Sequence, residues 1–256
     1  MVSKQIKIIY TKKLPSELEL AIRVGYSVAN LIKSNYIIDS GIISSIDKDI
    51  KTKADLVAHD CINQELSKTG IPVFSEESDH DSFDIDKLQW IIDPIDGTLN
   101  FVRGFPMAAI SIALWENGVP ILGVIHHLFD DQVFYSYSNK GAWLNNDRIS
   151  VSNIDKKNQA VLATGFPSGR DYSKESLSQF ISDIKTYKKM RMLGSAALML
   201  AYVACGYFDA YQENDIYIWD VAAGLSLVSE AGGIYTIESG SSEIKFNVRA
   251  SRGSLT

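Results

Sequence analysis

Two cysteines in 256 residues, Cys61 and Cys205, are too few and too far apart to build a disulfide framework. Their apolar surroundings read as those of reduced core residues in a cytoplasmic protein. No apolar run approaches ~18 residues, so no segment is expected to cross a membrane. The N-terminal stretch MVSKQIKIIYTKK is basic but has neither an apolar h-region nor a cleavage site, so no signal peptide is expected. Positive charge is also short. Lys and Arg number 25 against 31 Asp and Glu, leaving a net charge of −6 and a pI near 5.3. That balance argues against a nucleic-acid surface. An acidic chain with a phosphate ligand would need metal ions to reverse the sign locally. There is no P-loop, no G-x-G-x-x-G, no internal repeat and no low-complexity tract. His126 and His127 are adjacent, so on a strand they would point to opposite faces, and they are read as non-ligands. No Cys or His stands out as a nucleophile.

What is present is ordinary bulk and one unusual turn. Hydrophobic content of 46% and this length allow one large domain or two intimately packed ones. The turn is Trp90-Ile91-Ile92-Asp93-Pro94-Ile95-Asp96-Gly97-Thr98-Leu99-Asn100-Phe101. Its apolar start reads as a buried strand delivering Asp93, and Pro94 is expected to end the strand's central pairing. Asp96 follows at i+3, and Gly97-Thr98 opens a short helix whose N–H groups could face an anion. Two carboxylates aimed into one turn repel, and burial raises that cost unless a cation lies between them. Hard, oxygen-seeking divalent cations such as Mg²⁺ suit them. Taken alone, the same pattern could be an Asx-type turn and a helix cap with both acids in water.

Along the chain, Ser16 reads as the cap of a helix running to about Lys33, with Leu20, Val24, Val28 and Leu31 on one face. Residues 1–14 carry no functional signal, and Asn35–Lys51 reads as a candidate mobile loop. Asp55 precedes a helical pattern and could be its N-cap. A short strand ends at Glu76-Glu77-Ser78, where two acids are either surface residues or a cation site. The stretch Asp79–Lys87 reads as an acidic, solvated loop. Three meander strands over Met107–Tyr137 and a hairpin over Gly141–Arg148 follow. Ser150–Asn158 marks the internal boundary, between an N-terminal α+β part (1–150) and a C-terminal part (151–256) packed as one unit. In the second part strands and helices alternate, which favours a layered α/β arrangement. Asp220 opens the last helix after Trp219, and the tail Ser239–Thr256 carries no signal.

Glu76-Glu77-Ser78, Asp93-Pro94-Ile95-Asp96-Gly97-Thr98 and Trp219-Asp220-Val221-Ala222-Ala223-Gly224, in this order, resemble the inositol monophosphatase family of metal-dependent, lithium-sensitive phosphatases. The resemblance runs from about residue 15 to 238. It implies a layered αβαβα sandwich, two or three Mg²⁺ per active site, a small phosphorylated polyol or sugar as substrate, and a homodimer. It implies that Glu76, Asp93 and the carbonyl of Ile95 hold one Mg²⁺, and Asp93, Asp96 and Asp220 a second. The implied catalytic set is Glu76, Thr98 and an upstream acid. Asp55 and Asp60 are both candidates for that acid, and the family's D-[IL]-x-T-x-A-D pattern fits Asp49–Asp55 without gaps, which favours Asp55. On the substrate side the resemblance implies Gly194, Ser195, Ala196 and Glu213, with Asp96, Gly97, Thr98 and Asp220. Ser195 stands where a threonine is common, and the chain stops without the closing helix of many relatives.

Leu99-Asn100-Phe101 resembles the inositol monophosphatase form. Nucleotide phosphatases of the superfamily more often have Glu at the Asn100 position, and histidinol phosphatases Ser. Expected chemistry is direct attack by water, with no phosphoenzyme. Unaided monoester hydrolysis is extremely slow, with enzymatic accelerations reaching ~10²¹. Two cations about 3.5–4 Å apart stabilise both the attacking and the leaving oxygen. Relatives acting on adenosine 3′,5′-bisphosphate, fructose bisphosphate or histidinol phosphate are the alternatives. A silent phosphate-binding protein is a further one, and would be expected to have lost a metal ligand.

Overall fold

The computed structural model describes residues 15–36, 41–46, 49–78, 80, 83–166 and 172–255. The N-terminal 14 residues therefore lie outside the described residues. Helix α1 (Ser16–Asn35) and α2 (Lys53–Leu66) flank a hairpin of β1 (Ile42–Ile46) and β2 (Asp49–Thr52). Then come β3 (Val73–Ser75), β4 (Gln89–Asp96), the short α3 (Thr98–Val102), β5 (Ala109–Glu116), β6 (Val119–His127), β7 (Val133–Tyr137), β8 (Gly141–Leu144) and β9 (Asp147–Ile149). Strands β3 to β9 form one sheet in sequence order, antiparallel except for the β3–β4 pair. The second part holds β10 (Val161–Thr164), α4 (Lys174–Thr186), β11 (Lys189–Arg191), α5 (Ala196–Ala204), β12 (Ala210–Tyr217), α6 (Ile218–Glu230), β13 (Ile234–Ser239) and β14 (Lys245–Ser251). Its five strands are ordered β11-β10-β12-β14-β13.

Alternation along β4 sets the layers. Trp90 and Ile92 pack with α1 and α2, whereas Ile91 packs with α5 and α6. The same two helices meet Tyr211, Val248 and Ala250 of the second sheet. On that sheet's far face Leu162 and Ala210 pack with Tyr187, just past α4. The result is the expected αβαβα sandwich, and α5 and α6 are apolar on nearly every side because a sheet covers each face.

Several local expectations change. Strand β4 does not end at Pro94 but runs to Asp96, because a register shift between Asp93 and Asp96 puts the proline, which has no N–H, at a bulge. The cap of α1 is Pro15 rather than Ser16, whose hydroxyl is turned to Glu17. The stretch read as a mobile loop contains the β1–β2 hairpin, while residues 37–40 and 47–48 lie outside the described residues. The described residues of the acidic stretch are solvated only in part: Asp86 and Lys87 are exposed, but Phe83 and Ile85 pack on the core, with the tilted rings of Phe83 and Phe74 4.6 Å apart. Finally, the tail contains β14, paired between β12 and β13. Its inward Phe246, Val248 and Ala250 alternate with polar residues.

His126 and His127 both border one small cavity beside Tyr26 and Lys33 of α1. His126 shares a hydrogen bond with Ile22 O at 3.1 Å, and burial pushes its pKa down to about 3. With the ring neutral, its Nε2–H is the donor to that carbonyl. His127 Nδ1 accepts from Phe129 N and Asp130 N, which closes the turn after β6.

Candidate active site

Register brings the acids together. Asp93 pairs with Ser111 of β5, and Ser111 Oγ donates to Trp219 O at 3.4 Å, so Asp93 faces the start of α6. Trp115 Nε1 donates to Ala222 O one turn further on. On the other flank Ser75 pairs with Ile92, and Glu76 N donates to Ile92 O, which sets Glu76 beside Asp93. Asp93, Asp96 and Asp220 each offer an oxygen within 4.8 Å of the others. Asp220 is not an N-cap. Tyr217 holds that position and Asp220 lies in the first turn of α6, where the helix dipole favours negative charge.

Burial, then the charges of Glu76, Asp96, Asp220 and Asp55, push the carboxyl of Asp93 well above its ordinary range. Asp220 is raised for the same reasons, burial first and then Asp96 and Glu213. Asp96 has more help. It accepts from Ser195 Oγ, Ala196 N at 3.2 Å and Ala197 N at 3.0 Å, and so caps α5 from another part of the chain. Burial still outweighs those donors and lifts it to about 6. A donor set made only of crowded, buried oxygens, each carrying an unfavourable charge, fits hard divalent cations.

Asp55 is buried, 3% exposed, and Asp60 is on the exposed side of α2. Neither is an N-cap. Thr52 is the cap, and Asp55 is the third residue of a capping box, accepting from Thr52 N at 2.8 Å and Thr52 Oγ1 at 2.5 Å. Its other oxygen lies 3.3 Å from Thr98 Oγ1, which is also 3.0 Å from Ile95 O. Burial lifts Asp55 to about 6, the Thr52 hydrogen bonds pulling against it.

Glu76, Asp96, Gly97, Thr98 and Asp220 line a cleft of about 300 Å³ together with Gly194, Ser195, Ala196 and Glu213. Glu213 is buried at a register shift in β12 that Asp215 secures by accepting from Ser241 N and Oγ. Three further contributors make contacts that the sequence does not show, because a decisive partner of each is distant in sequence. Lys51 pairs with Glu77, the acid next to Glu76. His80 bonds Glu76 O at 2.9 Å and lies 4.8 Å from the Trp219 ring, joining two of the acid motifs. Asn100 bonds carbonyls across the cleft floor.

The model of the inositol monophosphatase family matches residues 14–255. The chain belongs to the inositol monophosphatase family. It is 37% identical over 226 residues to the fructose-1,6-bisphosphatase/inositol-1-monophosphatase of Thermotoga maritima, covering 85% of this chain and 86% of that one. It is 46% identical over 148 residues to the Nus factor SuhB of Xylella fastidiosa, a match spanning 57% of this chain and 54% of that protein. Among solved structures, extragenic suppressor protein suhB from Bartonella henselae superposes with a TM-score of 0.82 at 31% identity, over 94% of this chain and 95% of that one. As a family member the chain is a phosphatase of a metal-dependent kind, and its buried acidic cluster is consistent with metal binding. No described helix is long and apolar enough to cross a membrane.

Proposed function

We propose that this inositol monophosphatase family member is a Mg²⁺-dependent phosphomonoesterase that hydrolyses a small phosphorylated polyol, inositol monophosphate first among them. The observation that carries the reading is the convergence of Asp93, Asp96 and Asp220 within 4.8 Å beside a cleft that Glu213 also lines. Glu76, Asp93, the Ile95 carbonyl, Asp96 and Asp220 would hold the cations. Bound there, divalent cations supply charge neutralisation for the ester phosphate and for the departing alkoxide.

The chain's own residues do the rest. Thr98 Oγ1 can donate to Asp55 Oδ1, which leaves its oxygen lone pairs to accept a hydrogen bond from a water beside the phosphate. If that water gives its proton to Thr98, Thr98 passes its own to Asp55, which with a pKa of about 6 is mostly ionised at neutral pH and can receive it. The N–H groups of Gly97 and Thr98 face the phosphate oxygens. The carboxylate of Glu213 suits ring hydroxyls as an acceptor, and Ser195 and Ala196, whose donors go to Asp96, would shape the corner beside it. Unpaired Cys61 and Cys205 support a cytoplasmic protein. Exposed Leu99, Phe105 and Met192 support a homodimer, since a monomer leaves them in water.

Fructose bisphosphate is a second substrate reading, favoured by the likeness to the fructose-1,6-bisphosphatase/inositol-1-monophosphatase of Thermotoga maritima. Phosphate release from inositol 1-phosphate, fructose 1,6-bisphosphate, adenosine 3′,5′-bisphosphate and histidinol phosphate, with Mg²⁺ and after chelation, tests both. Turnover of inositol 1-phosphate at least ~10-fold above the others supports the first reading. Turnover that survives exhaustive chelation overturns the metal assignment.

A further inference from the structure

Asn100 sits in α3, two residues past the Gly97-Thr98 turn. Its side-chain nitrogen lies 2.7 Å from Leu193 O, 2.8 Å from Met107 O and 3.2 Å from Gly194 O. Only a donor can face three carbonyl oxygens, so the amide orientation follows from chemistry. Its two hydrogens make two short bonds, and the third contact shares one of them. Leu193 and Gly194 lie more than ninety positions away, immediately before the Ser195 cap of α5. The backbones themselves touch at this point. Gly97 has φ +87°, and a Cβ there would fall 2.7 Å from Met107 O and 3.0 Å from Gly194 O. Gly194, at φ +71°, faces the Asn100 amide in return.

We propose that Asn100 is a positioning residue that ties the metal-holding turn to the substrate-facing corner Gly194-Ser195-Ala196. This rests on the phosphatase reading above. One side of the tie is the Asp96-Gly97-Thr98 turn, and the other is the N-terminus of α5, whose Ala196 and Ala197 N–H groups and Ser195 hydroxyl hold Asp96. Asp96 therefore reaches across to the corner, and Asn100 holds the corner at the distance Asp96 requires. The nitrogen of Asn100 is committed to carbonyls and has no hydrogen left for a substrate. The residue type at this position acts on substrate choice through the shape of the corner, not by touching the ester. Aspartate at the same place would aim oxygen at three carbonyls and push the corner away, and alanine would leave three acceptors short of a donor.

The test compares Asn100→Ala, Asn100→Asp, Ser195→Ala and the double variant Asn100→Ala/Ser195→Ala. Inositol 1-phosphate, which needs the corner, is set against p-nitrophenyl phosphate, which has no polyol to place. A misplacement of about 1 Å can cost ~10²-fold. Asn100→Ala should therefore lower kcat/KM for inositol 1-phosphate by ~10²-fold, mostly through KM, and that for p-nitrophenyl phosphate by less than ~10-fold. Asn100→Asp should do more. In the double variant the losses should be smaller than the product of the single ones, since both act on one corner. Equal losses on the two esters, or losses that multiply, overturn the proposal.

A second measurement does not depend on turnover. Amide hydrogen exchange at Ala196, Ala197 and Leu198 should speed up by ~10-fold or more in Asn100→Ala, with α1 unchanged. Unchanged protection at that corner overturns the tie. If the unaltered protein with Mg²⁺ hydrolyses neither ester, the functional reading fails, and the exchange result alone decides the tie.

Discussion

Two pairs of buried aspartates share one cleft and differ in what holds them. Asp55 and Asp96 each rest on helix-start donors, Asp55 on Thr52 three residues away and Asp96 on the N-terminus of α5 about a hundred residues away. Both end near pKa 6. Asp93 and Asp220 lie among acids, with Ile95 N donating to Asp93 as local support, and both are driven well above the ordinary range. Donors from the fold can stabilise an ionised carboxylate as far as they reach, and where they stop only a cation can take over. Asp55 and Asp96 are thus steadied by donors of the protein, whereas Asp93 and Asp220 have fewer and would gain most from a cation beside Asp96.

The sharpest break is at Asp93. Asp93→Asn should lower kcat by on the order of 10³ or more, since it removes an anionic ligand proposed to be shared by both cations. The metal-free variant should nevertheless melt higher than the metal-free unaltered protein, because a like charge has left a buried cluster. Steady-state kinetics and a thermal scan with chelator check the two halves, and a variant as active as the unaltered protein would sink the shared-ligand assignment.

For the protein-held pair, Asp55→Asn should lower kcat by about 10²–10⁴, the usual range for acid–base help. Loss of the capping-box partner should cost about 0.5–2 kcal/mol besides. Asp60→Asn, at an exposed position on the same helix, should change kcat little. The reverse ranking would move the water-orienting role one turn along α2.

Lithium separates the two cation positions. Millimolar Li⁺ should inhibit uncompetitively, because a small hard ion with half the charge occupying the second site would act after the ester has bound and reacted. Asp220→Asn should weaken that inhibition several-fold. Substrate-competitive inhibition across a lithium series would count against the second site as drawn.

The smallest effect is on melting temperature. Asp55 and Asp96 are raised from 3.8 to about 6, so the folded state binds their protons more tightly than the unfolded chain. The stability they contribute is full below about pH 4 and lost as pH rises through 6, and Asp93 and Asp220, also raised, act in the same direction. His126, lowered to about 3, runs the other way and costs stability as pH falls below 6.5. Since Mg²⁺ does not touch His126, the difference in Tm with and without Mg²⁺ isolates the acids. It should widen by several degrees between pH 5 and 8, and a constant difference would mean the acids are not where the metal binds.

How much was legible can be followed residue by residue. Asp55 with Thr52, and Asp93 with Asp96, are i+3 pairs, so each motif lies within one short stretch. The family resemblance then joined Glu76 and Asp220 to them. The β12 register shift that seats Glu213 depends on Asp215 and Ser241, which no periodicity links. The tail's β14 alternates apolar and polar residues, but short alternation among polar neighbours is a weak signal until β12 and β13 lie on either side. The ring contact of His80 with Trp219 and the hydrogen bond of Asn100 to Leu193 join segments remote in sequence, and such contacts leave no trace in local composition.

By itself the sequence determined the alternation of strands and helices in the second part and the strand that carries Asp93 and Asp96, and its motifs carried the family resemblance. The first two follow from spacing and side-chain type, which act over a few residues. Tertiary structure alone decided that Asp96 caps α5, that Pro94 sits at a bulge within β4, and that Asn100 spans from α3 to Leu193. Each of these brings a buried polar group to a partner supplied by a distant segment, and that pairing exists only once the sheets have closed on α5 and α6.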